Sequence, residues 1–182
     1  MELRSNRGFS LVELLVVTAI ASFLLLVGAP SFARMFARSA VHATTSELML
    51  SLAQARTRAA SDGASWSLCP SENGVACTNG IEWGRGWIVF RDPQETGRPA
   101  AGDVADRVQR DPGSQTIRST AGRRLLSFRA DGTSAGSNVT LLVCEPGHGI
   151  GRRVIVSNTG RARVEPLRDG DRACAMRVGS GA

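Results

Sequence analysis

Near its N-terminus the chain contains an apolar run, residues 9–29, in which the only charged side chain is that of Glu13. At about 1.5 Å per residue, a helix of that length extends for roughly 30 Å, the thickness of the hydrocarbon core of a bilayer. The run therefore predicts a membrane-spanning helix. Arg4 and Arg7 precede it, and the positive-inside rule keeps such residues in the cytoplasm, so the rest of the chain is expected on the far side.

Glu13 separates the possible interpretations of this run. A cleaved secretory signal is one interpretation, because Val27-Gly28-Ala29 has the small residues of a cleavage site. Pro30 would then directly follow the cut, and a carboxylate near mid-membrane costs about 2.5 to 3.5 kcal/mol. A plain membrane anchor is the second interpretation. Neither of them explains the glutamate.

The segment Arg7-Gly8-Phe9-Ser10-Leu11-Val12-Glu13-Leu14 resembles the class III signal of type IV pilin-like proteins. The resemblance implies that a prepilin peptidase removes the leader, residues 1–8, by cutting after Gly8, and that the new N-terminus at Phe9 is methylated. It also implies that Glu13 neutralises the terminal amine of a neighbouring subunit in a lipid-free filament core, where an unpaired charge is costly. The expected location is the bacterial inner membrane, crossed once with the head in the periplasm, and then a pilus or pseudopilus.

After the membrane-spanning half, residues 9–29, a second and amphipathic helical half is predicted over residues 30–62. Pro30, which is expected to kink the helix, marks the boundary. An apolar stripe then recurs at helical spacing through Val41, Leu48, Leu52, Ala55 and Ala59. Such a stripe is typical of a helix face that packs against the body of a protein. Asp62-Gly63 is predicted to end the helix.

From Ala64 onward the pattern changes to short runs of β-forming residues separated by Gly, Pro, Asn and Asp, which predicts a mostly antiparallel β head over residues 63–182. The clearest runs are Trp87-Ile88-Val89-Phe90, Leu125-Leu126-Ser127-Phe128 and Val139-Thr140-Leu141-Leu142-Val143. The stretch from Gln94 to Ser114 is rich in Pro, Gly, Asp and Arg and lacks periodicity. It is therefore predicted to be a long exposed loop.

Several stretches of the head resemble one branch of the pilin-like proteins, the FimT/GspH family. They are Leu68-Cys69-Pro70-Ser71, Gly86-Trp87-Ile88-Val89-Phe90, Phe128 with Asp131-Gly132, and Leu142-Val143-Cys144. Together with the N-terminal signal, the resemblance covers nearly the whole chain. It implies an α+β fold of the type IV pilin kind, in which a long N-terminal helix packs on a mostly antiparallel β-sheet or sandwich head.

Four cysteines, Cys69, Cys77, Cys144 and Cys174, allow three pairings if all are bridged. A head outside the cytoplasm lies where disulfides persist, which favours two local bridges, Cys69 with Cys77 and Cys144 with Cys174. A zinc site is the alternative, with Cys144 and His148 among the ligands, but the chain contains no CxxC spacing. We therefore expect two disulfides, no metal and no other cofactor.

Gly132-Thr133-Ser134-Ala135-Gly136 matches the GxSxG pattern of a hydrolase nucleophile. That pattern requires a strand, a sharp turn and a helix, whereas strands are predicted on both sides here, so we interpret the segment as a hairpin connection. The only histidines are His42, on the long helix, and His148, in a Gly-rich loop, which offer little to a catalytic triad. No enzymatic activity is expected.

The formal net charge of +6 arises in the C-terminal third, because residues 1–117 carry 11 Arg and 11 acidic residues while residues 118–182 carry 11 Arg and 5. Apolar runs on both sides of Asn158-Thr159-Gly160 predict a hairpin. Alternation in its second strand puts Arg161 and Arg163 on one face, roughly 6 to 7 Å apart. Guanidinium groups suit phosphates, and counterion release gives affinity without sequence preference.

Gly160-Arg161-Ala162-Arg163 also resembles the GRxR motif of FimT-type minor pilins, and this resemblance implies a DNA receptor for natural transformation. Arg152 and Arg153 are expected to assist. Other arginines extend the patch and three acidic residues offset it locally: Arg168, Arg172 and Arg177, and Glu165, Asp169 and Asp171. The alternative is a solvated sheet edge whose arginines guard against aggregation.

Two functions follow from these observations. The first is a minor type IV pilin that holds the phosphate backbone of double-stranded DNA, so that retraction of the pilus draws the DNA inward. The second is a GspH-type minor pseudopilin with a structural role at the tip of a type II secretion pseudopilus. Both imply other pilins or pseudopilins, the prepilin peptidase and the inner membrane as partners, and the first adds DNA. Affinity for DNA distinguishes them.

Overall fold

The computed structural model describes residues 10–100, 102–109, 115–120, 122–134, 136–145, 148–168, 171 and 174. The described residues form one helix and eight strands: α1 (Leu11–Asp62), β1 (Trp66–Pro70), β2 (Gly86–Arg91), β3 (Val104–Gln109), β4 (Thr116–Ser119), β5 (Leu126–Phe128), β6 (Val139–Glu145), β7 (Ile150–Val156) and β8 (Ala162–Pro166). The chain divides into two compact units, Met1–Phe36 and Ala37–Ala182, and α1 contributes to both.

In the first unit, α1 exposes apolar side chains, including Leu11, Phe23 and Leu26. Among the described residues, α1 is the one helix that is long and apolar enough to cross a membrane, judged by length and composition. Its most apolar window of 18 residues has a mean hydropathy of 2.5 and is not buried. Glu13 lies exposed in the first turn, and the helix continues through residue 30. Gly8 and Phe9 lie outside the described residues.

In the second unit, the remaining part of α1 packs against the sheets through one buried face. The predicted stripe is confirmed, because Val41, Leu48, Leu52, Ala55 and Ala59 are all buried. The helix ends at Asp62, as predicted. Gly63 follows with φ +60°, a left-handed conformation that glycine adopts without the steric cost of a Cβ, and it thereby terminates the helix.

The eight strands form two four-stranded sheets in which every pairing is antiparallel. Sheet A has the order β3-β2-β1-β5 and sheet B has the order β4-β6-β7-β8. The three clearest apolar runs became β2, β5 and β6. The predicted fold class is therefore confirmed: a long N-terminal helix combined with antiparallel sheets.

One strand lies where a loop was predicted. β3, Val104–Gln109, falls within the stretch from Gln94 to Ser114. It pairs with β2 in a register that places Val108 opposite Trp87 and Val104 opposite Phe90. Charged residues lie between these two valines, so the segment lacks the apolar alternation that predicts a strand. It forms a strand because it pairs with the free hydrogen-bonding edge of β2. The loop prediction was wrong for these six residues, and residues 110–114 lie outside the described part.

Two apolar clusters cover the two faces of sheet A. The larger one contains residues of α1, of sheet B and of sheet A, including Trp87. Trp87 is fully buried, and its Nε1 donates a hydrogen bond to Ser51 Oγ of α1 at 2.9 Å. The smaller one, on the opposite face, contains Cys69, Ile88 and Phe90. The head thus buries both faces of sheet A, which gives it a substantial core.

Both disulfides join the cysteine pairs that the sequence favours. Cys69 of β1 is bonded to Cys77 in the following loop, and Cys144 of β6 is bonded to Cys174 in the C-terminal segment. In the part of the chain that the structure describes, no group of three or more His, Cys, Asp or Glu side chains is arranged to hold a metal ion.

The GxSxG segment connects two sheets and is not a hairpin connection. β5 belongs to sheet A and β6 to sheet B, so the chain crosses between the sheets here, and the hairpin interpretation was wrong. The apolar runs on both sides of the segment predict two strands, β5 and β6. Their closeness in sequence does not show whether the two strands pair with each other. Ser134 is fully buried, so its hydroxyl is not presented to a substrate.

Candidate nucleic-acid interface

The C-terminal hairpin consists of β7, the turn of residues 157–161, and β8. Val156 lies opposite Ala162 at the end of the ladder. Ser157 N donates to Arg161 O at 3.0 Å, and Gly160 N donates to Ser157 O at 2.8 Å. Gly160 adopts φ +74°. The hairpin predicted at Asn158-Thr159-Gly160 is thus present, with glycine at the left-handed position that such a turn requires.

Gly160 also packs directly against other backbone. A Cβ placed on it would lie 2.0 Å from the carbonyl oxygen of Gly132, in the connection between β5 and β6. The same oxygen accepts a hydrogen bond from Arg56 Nε of α1 at 3.0 Å, and Ser134 N donates to Asn158 O at 2.9 Å. The glycine of the GRxR motif therefore docks the turn on the body of the head. Sequence reasoning missed Arg56, for which the helical pattern contains no signal.

The arginines of the hairpin lie on two different faces. Residues paired across an antiparallel ladder share a face, so Arg153, opposite Glu165, and Arg163, opposite Ile155, lie on the outer face of sheet B. Arg152 belongs to the other row, opposite Val143 of β6. The structure therefore does not bring the four predicted arginines together as one patch.

Arg153 is held inside a charged cluster and is not presented to solvent. Only 12% of its side chain is exposed, and its Nη1 and Nε lie 3.6 Å from Glu165 Oε2 and 3.5 Å from Asp171 Oδ2. Neither nitrogen makes a hydrogen bond with good geometry. Arg153 therefore pairs with two partly exposed carboxylates in this structure, which differs from the role of a DNA contact that the sequence suggested.

Glu165 is the centre of this cluster. It accepts a hydrogen bond from Arg163 Nε at 2.8 Å and another from Arg168 Nη2 at 3.1 Å. The hydrogen bond from Arg163 lowers the pKa of Glu165 most, partial desolvation raises it, and the positive charges of Arg163 and Arg168 lower it further. This one carboxylate thus neutralises part of the positive charge of three arginines, Arg153, Arg163 and Arg168, as predicted for Glu165.

The remaining arginines of the hairpin are available to a ligand. Arg152 and Arg161 are exposed and, among the residues that the structure describes, neither has an ion pair or a side-chain hydrogen bond. Arg163 and Arg168 keep more than half of their side-chain area exposed despite their contacts with Glu165. Arg172 and Arg177 lie outside the described residues. The described segment from residue 150 to 171 carries five arginines and two acidic residues, an excess of positive charge at this end of sheet B.

The cluster predicts a specific acid sensitivity of the head. Because the pKa of Glu165 is lower in the folded state, its carboxylate stabilises the fold above its unfolded value near 4.5, and this stabilisation is lost as the pH falls through the folded value. Tryptophan fluorescence during urea unfolding should therefore show that Glu165→Gln lowers stability at pH 7 and that the difference from wild type shrinks below about pH 4. Glu72→Gln, at an exposed pair with Arg85, is the control. An equal difference at every pH would contradict this account.

Comparison with known protein families gives two matches. Residues 44–160, more than half of the chain, match the family described as type II transport protein GspH. Residues 3–29 match the prokaryotic N-terminal methylation motif. No curated protein has a significant sequence match. The first match ends at Gly160, so it does not include Arg161 and Arg163.

Two solved structures share the fold. The type IV minor pilin FimU of Pseudomonas aeruginosa superimposes with a TM-score of 0.55 and 24% identity, covering 74% of this chain and 91% of that chain. The minor pseudopilin EpsH from the type 2 secretion system of Vibrio cholerae superimposes with a TM-score of 0.50 and 12% identity, covering 69% of this chain and 96% of that chain. At such identities the likeness establishes the fold alone.

Proposed function

Because the chain belongs to the GspH family of type II transport proteins, we propose that it is a minor subunit of a type IV pilus or of a related secretion filament. Three observations support this proposal: the N-terminal methylation motif, the exposed apolar surface of α1, and the fold shared with a minor pilin and a minor pseudopilin. In this proposal the leader is cut after Gly8 and Phe9 is methylated. The head then stands in the periplasm until the subunit leaves the inner membrane for the filament.

Glu13 is the proposed assembly residue. It is exposed in the first turn of α1, within the apolar segment. A carboxylate at that position is costly in lipid, and pairing it with the terminal amine of a neighbouring subunit removes the cost. Assembly would thereby favour one axial position of each subunit over others.

Within the pilus alternative, we propose that the C-terminal hairpin binds duplex DNA through its phosphates. The observation that carries this proposal is the exposed guanidinium of Arg161, which has no ion pair among the described residues and lies two residues from the exposed guanidinium of Arg163. Arg152 is available on the other face of the hairpin. Such contacts attract any sequence, because no described element presents side chains suited to reading base edges in a groove.

A structural pseudopilin is the second candidate. The family description favours it, since the GspH model describes a type II transport protein. In that role Arg161 and Arg163 would be solvated residues at a sheet edge, and the head would contact sister subunits only. Binding of DNA by the hairpin is what separates the two candidates.

The test is a fluorescence anisotropy titration of labelled duplex DNA with the full chain in nonionic detergent micelles, at several salt concentrations. We expect binding that weakens as salt rises. Arg161→Ala/Arg163→Ala should bind more weakly. The slope of the logarithm of the binding constant against the logarithm of the salt concentration should become shallower by about 1.8, since each lost phosphate contact removes about 0.9.

Arg85→Ala/Arg91→Ala is the matched control, because it removes the same charge from exposed arginines at sheet A. Its slope should remain close to that of wild type. If wild type does not bind at low salt, the pseudopilin candidate is favoured. If both double variants lose affinity equally, net charge is responsible and the hairpin is not the site.

A further inference from the structure

The two edges of sheet B differ in how they are covered. The edge at β4 is closed by a neighbouring segment, because Trp83 N donates to Ile117 O at 2.7 Å and Ser119 N donates to Ile81 O at 2.9 Å. β8 forms the opposite edge, and no described segment pairs along its outer side. Open edges of this kind accept an added strand.

The register identifies which backbone groups are free at this edge. Ser157 N donates to Arg161 O, so Arg161 bonds toward the β7 side of the hairpin. In an antiparallel ladder every second residue bonds to the same neighbour, so the N–H and C=O of Arg163 also point toward β7. The intervening residues, Ala162 and Val164, therefore direct N–H and C=O away from the sheet. Pro166 ends the strand and has no N–H to offer.

A groove lies beside this edge, between β8 and α1. Its volume is about 240 Å³, and its lining includes Met49, Ala53, Arg56 and Thr57 of α1 and Ala162 of β8. The volume is below the roughly 300 to 1,000 Å³ of small-molecule pockets, so the groove suits side chains of a peptide better than a free ligand. Met49, Ala162 and Val164 pack against the core only in part, and apolar surface is left uncovered along the groove.

We propose that β8 receives an extended segment of a sister filament subunit as a fifth strand of sheet B. Residues opposite Ala162 and Val164 would make the hydrogen bonds and place their side chains in the groove, which selects small apolar residues. The residues of the added strand between these would lie on the outer face beside Arg161 and Arg163. Charge complementarity would favour Asp or Glu at those positions. The recognised segment is thus one in which small apolar residues alternate with acidic residues. The inference rests on the proposed filament membership and is independent of DNA binding.

The test uses a fluorescein-labelled peptide of sequence TVEVDVT and the full chain in nonionic detergent micelles, followed by fluorescence anisotropy. A second peptide carries N-methyl groups on its three valines, which removes the backbone donors and keeps the side chains. We expect the first peptide to bind and the second to bind at least about tenfold more weakly. Equal binding of both peptides would overturn the proposal.

Protein variants locate the site. Ala162→Pro removes an outward N–H and should weaken binding of the first peptide about tenfold or more. Ala53→Trp fills the groove from an exposed position of α1 and should do the same, so the test does not depend on how the proline variant folds. Ala60→Trp, an equal change at an exposed position of α1 outside the groove lining, should leave peptide binding unchanged. Wild-type binding by Ala53→Trp would overturn the proposal.

The same variants separate this inference from the DNA proposal. Ala53→Trp should bind DNA like wild type, because it removes no positive charge, whereas its peptide binding should weaken about tenfold or more. A self-association that disappears in Ala162→Pro, together with no peptide binding to wild type, would identify a second copy of this chain as the occupant and would overturn the assignment to a sister subunit.

Discussion

Replacing Gly160 by alanine is expected to destabilise the head by about 2 to 5 kcal/mol. A left-handed conformation costs an alanine roughly 1 to 2 kcal/mol. The new Cβ would also lie 2.0 Å from Gly132 O, so the turn must shift, with an overpacking cost of about 1 to 3 kcal/mol. That shift disturbs the hydrogen bond from Arg56 to the same oxygen. Urea unfolding followed by tryptophan fluorescence measures the change, since all three tryptophans, Trp66, Trp83 and Trp87, belong to the head.

Gly63→Ala is the matched control for this variant. Gly63 has a similar φ of +60°, but among the described residues no atom beyond its own chain neighbours and the backbone of α1 lies within 4 Å of its added Cβ. Only the conformational cost applies, about 1 to 2 kcal/mol. Equal losses in the two variants would mean that the contact between the turn and Gly132 contributes nothing.

Replacing Trp87 by alanine is expected to cost about 3 to 5 kcal/mol, as for other fully buried tryptophans, because it opens a cavity between sheet A and α1. Trp87→Phe should cost less, since it keeps a ring and loses mainly the hydrogen bond to Ser51. Ser51→Ala should cost about 1 to 3 kcal/mol, because it leaves the indole N–H buried without a partner.

A double-mutant cycle of Ser51→Ala with Trp87→Phe isolates this hydrogen bond. If the bond couples the sheet to the helix, the double variant should lose less stability than the sum of the two single variants. Additive losses would show that each side chain acts through packing alone. The same unfolding measurement, made by circular dichroism to avoid dependence on the number of tryptophans, provides all four values.

The GRxR motif contains two roles that its letters do not separate. Gly160 is a packing residue, and its substitution would unfold the turn and remove any function of the hairpin indirectly. Arg161 and Arg163 are exposed, and their substitution leaves the turn intact. A loss of DNA binding in a Gly160 variant therefore does not show that the hairpin contacts DNA. A loss of DNA binding in the double arginine variant does show it.

The charges of the hairpin show what a one-dimensional pattern omits. Alternation predicted the hairpin and the exposure of Arg161 and Arg163 from neighbouring residues alone, because the side-chain period of a strand is local. It could not reveal that Arg153 is paired with Asp171, 18 positions further along the chain, because that pair forms only when the folded chain places Asp171 beside β7.

Local patterns in the sequence predict the apolar helix and its charged interruption, the buried stripe of α1, the helix end at Asp62, most strands and the C-terminal turn. These features depend on residues within a few positions of each other, where periodicity and backbone preference act directly. Five other features follow only from the folded structure: the strand pairing of β3, the crossing of the GxSxG segment between sheets, the contact of Arg56 with Gly132, the low exposure of Arg153, and the edge at β8 that no described segment covers. These depend on hydrogen-bonding edges and contacts between segments distant in sequence, which a local pattern does not encode.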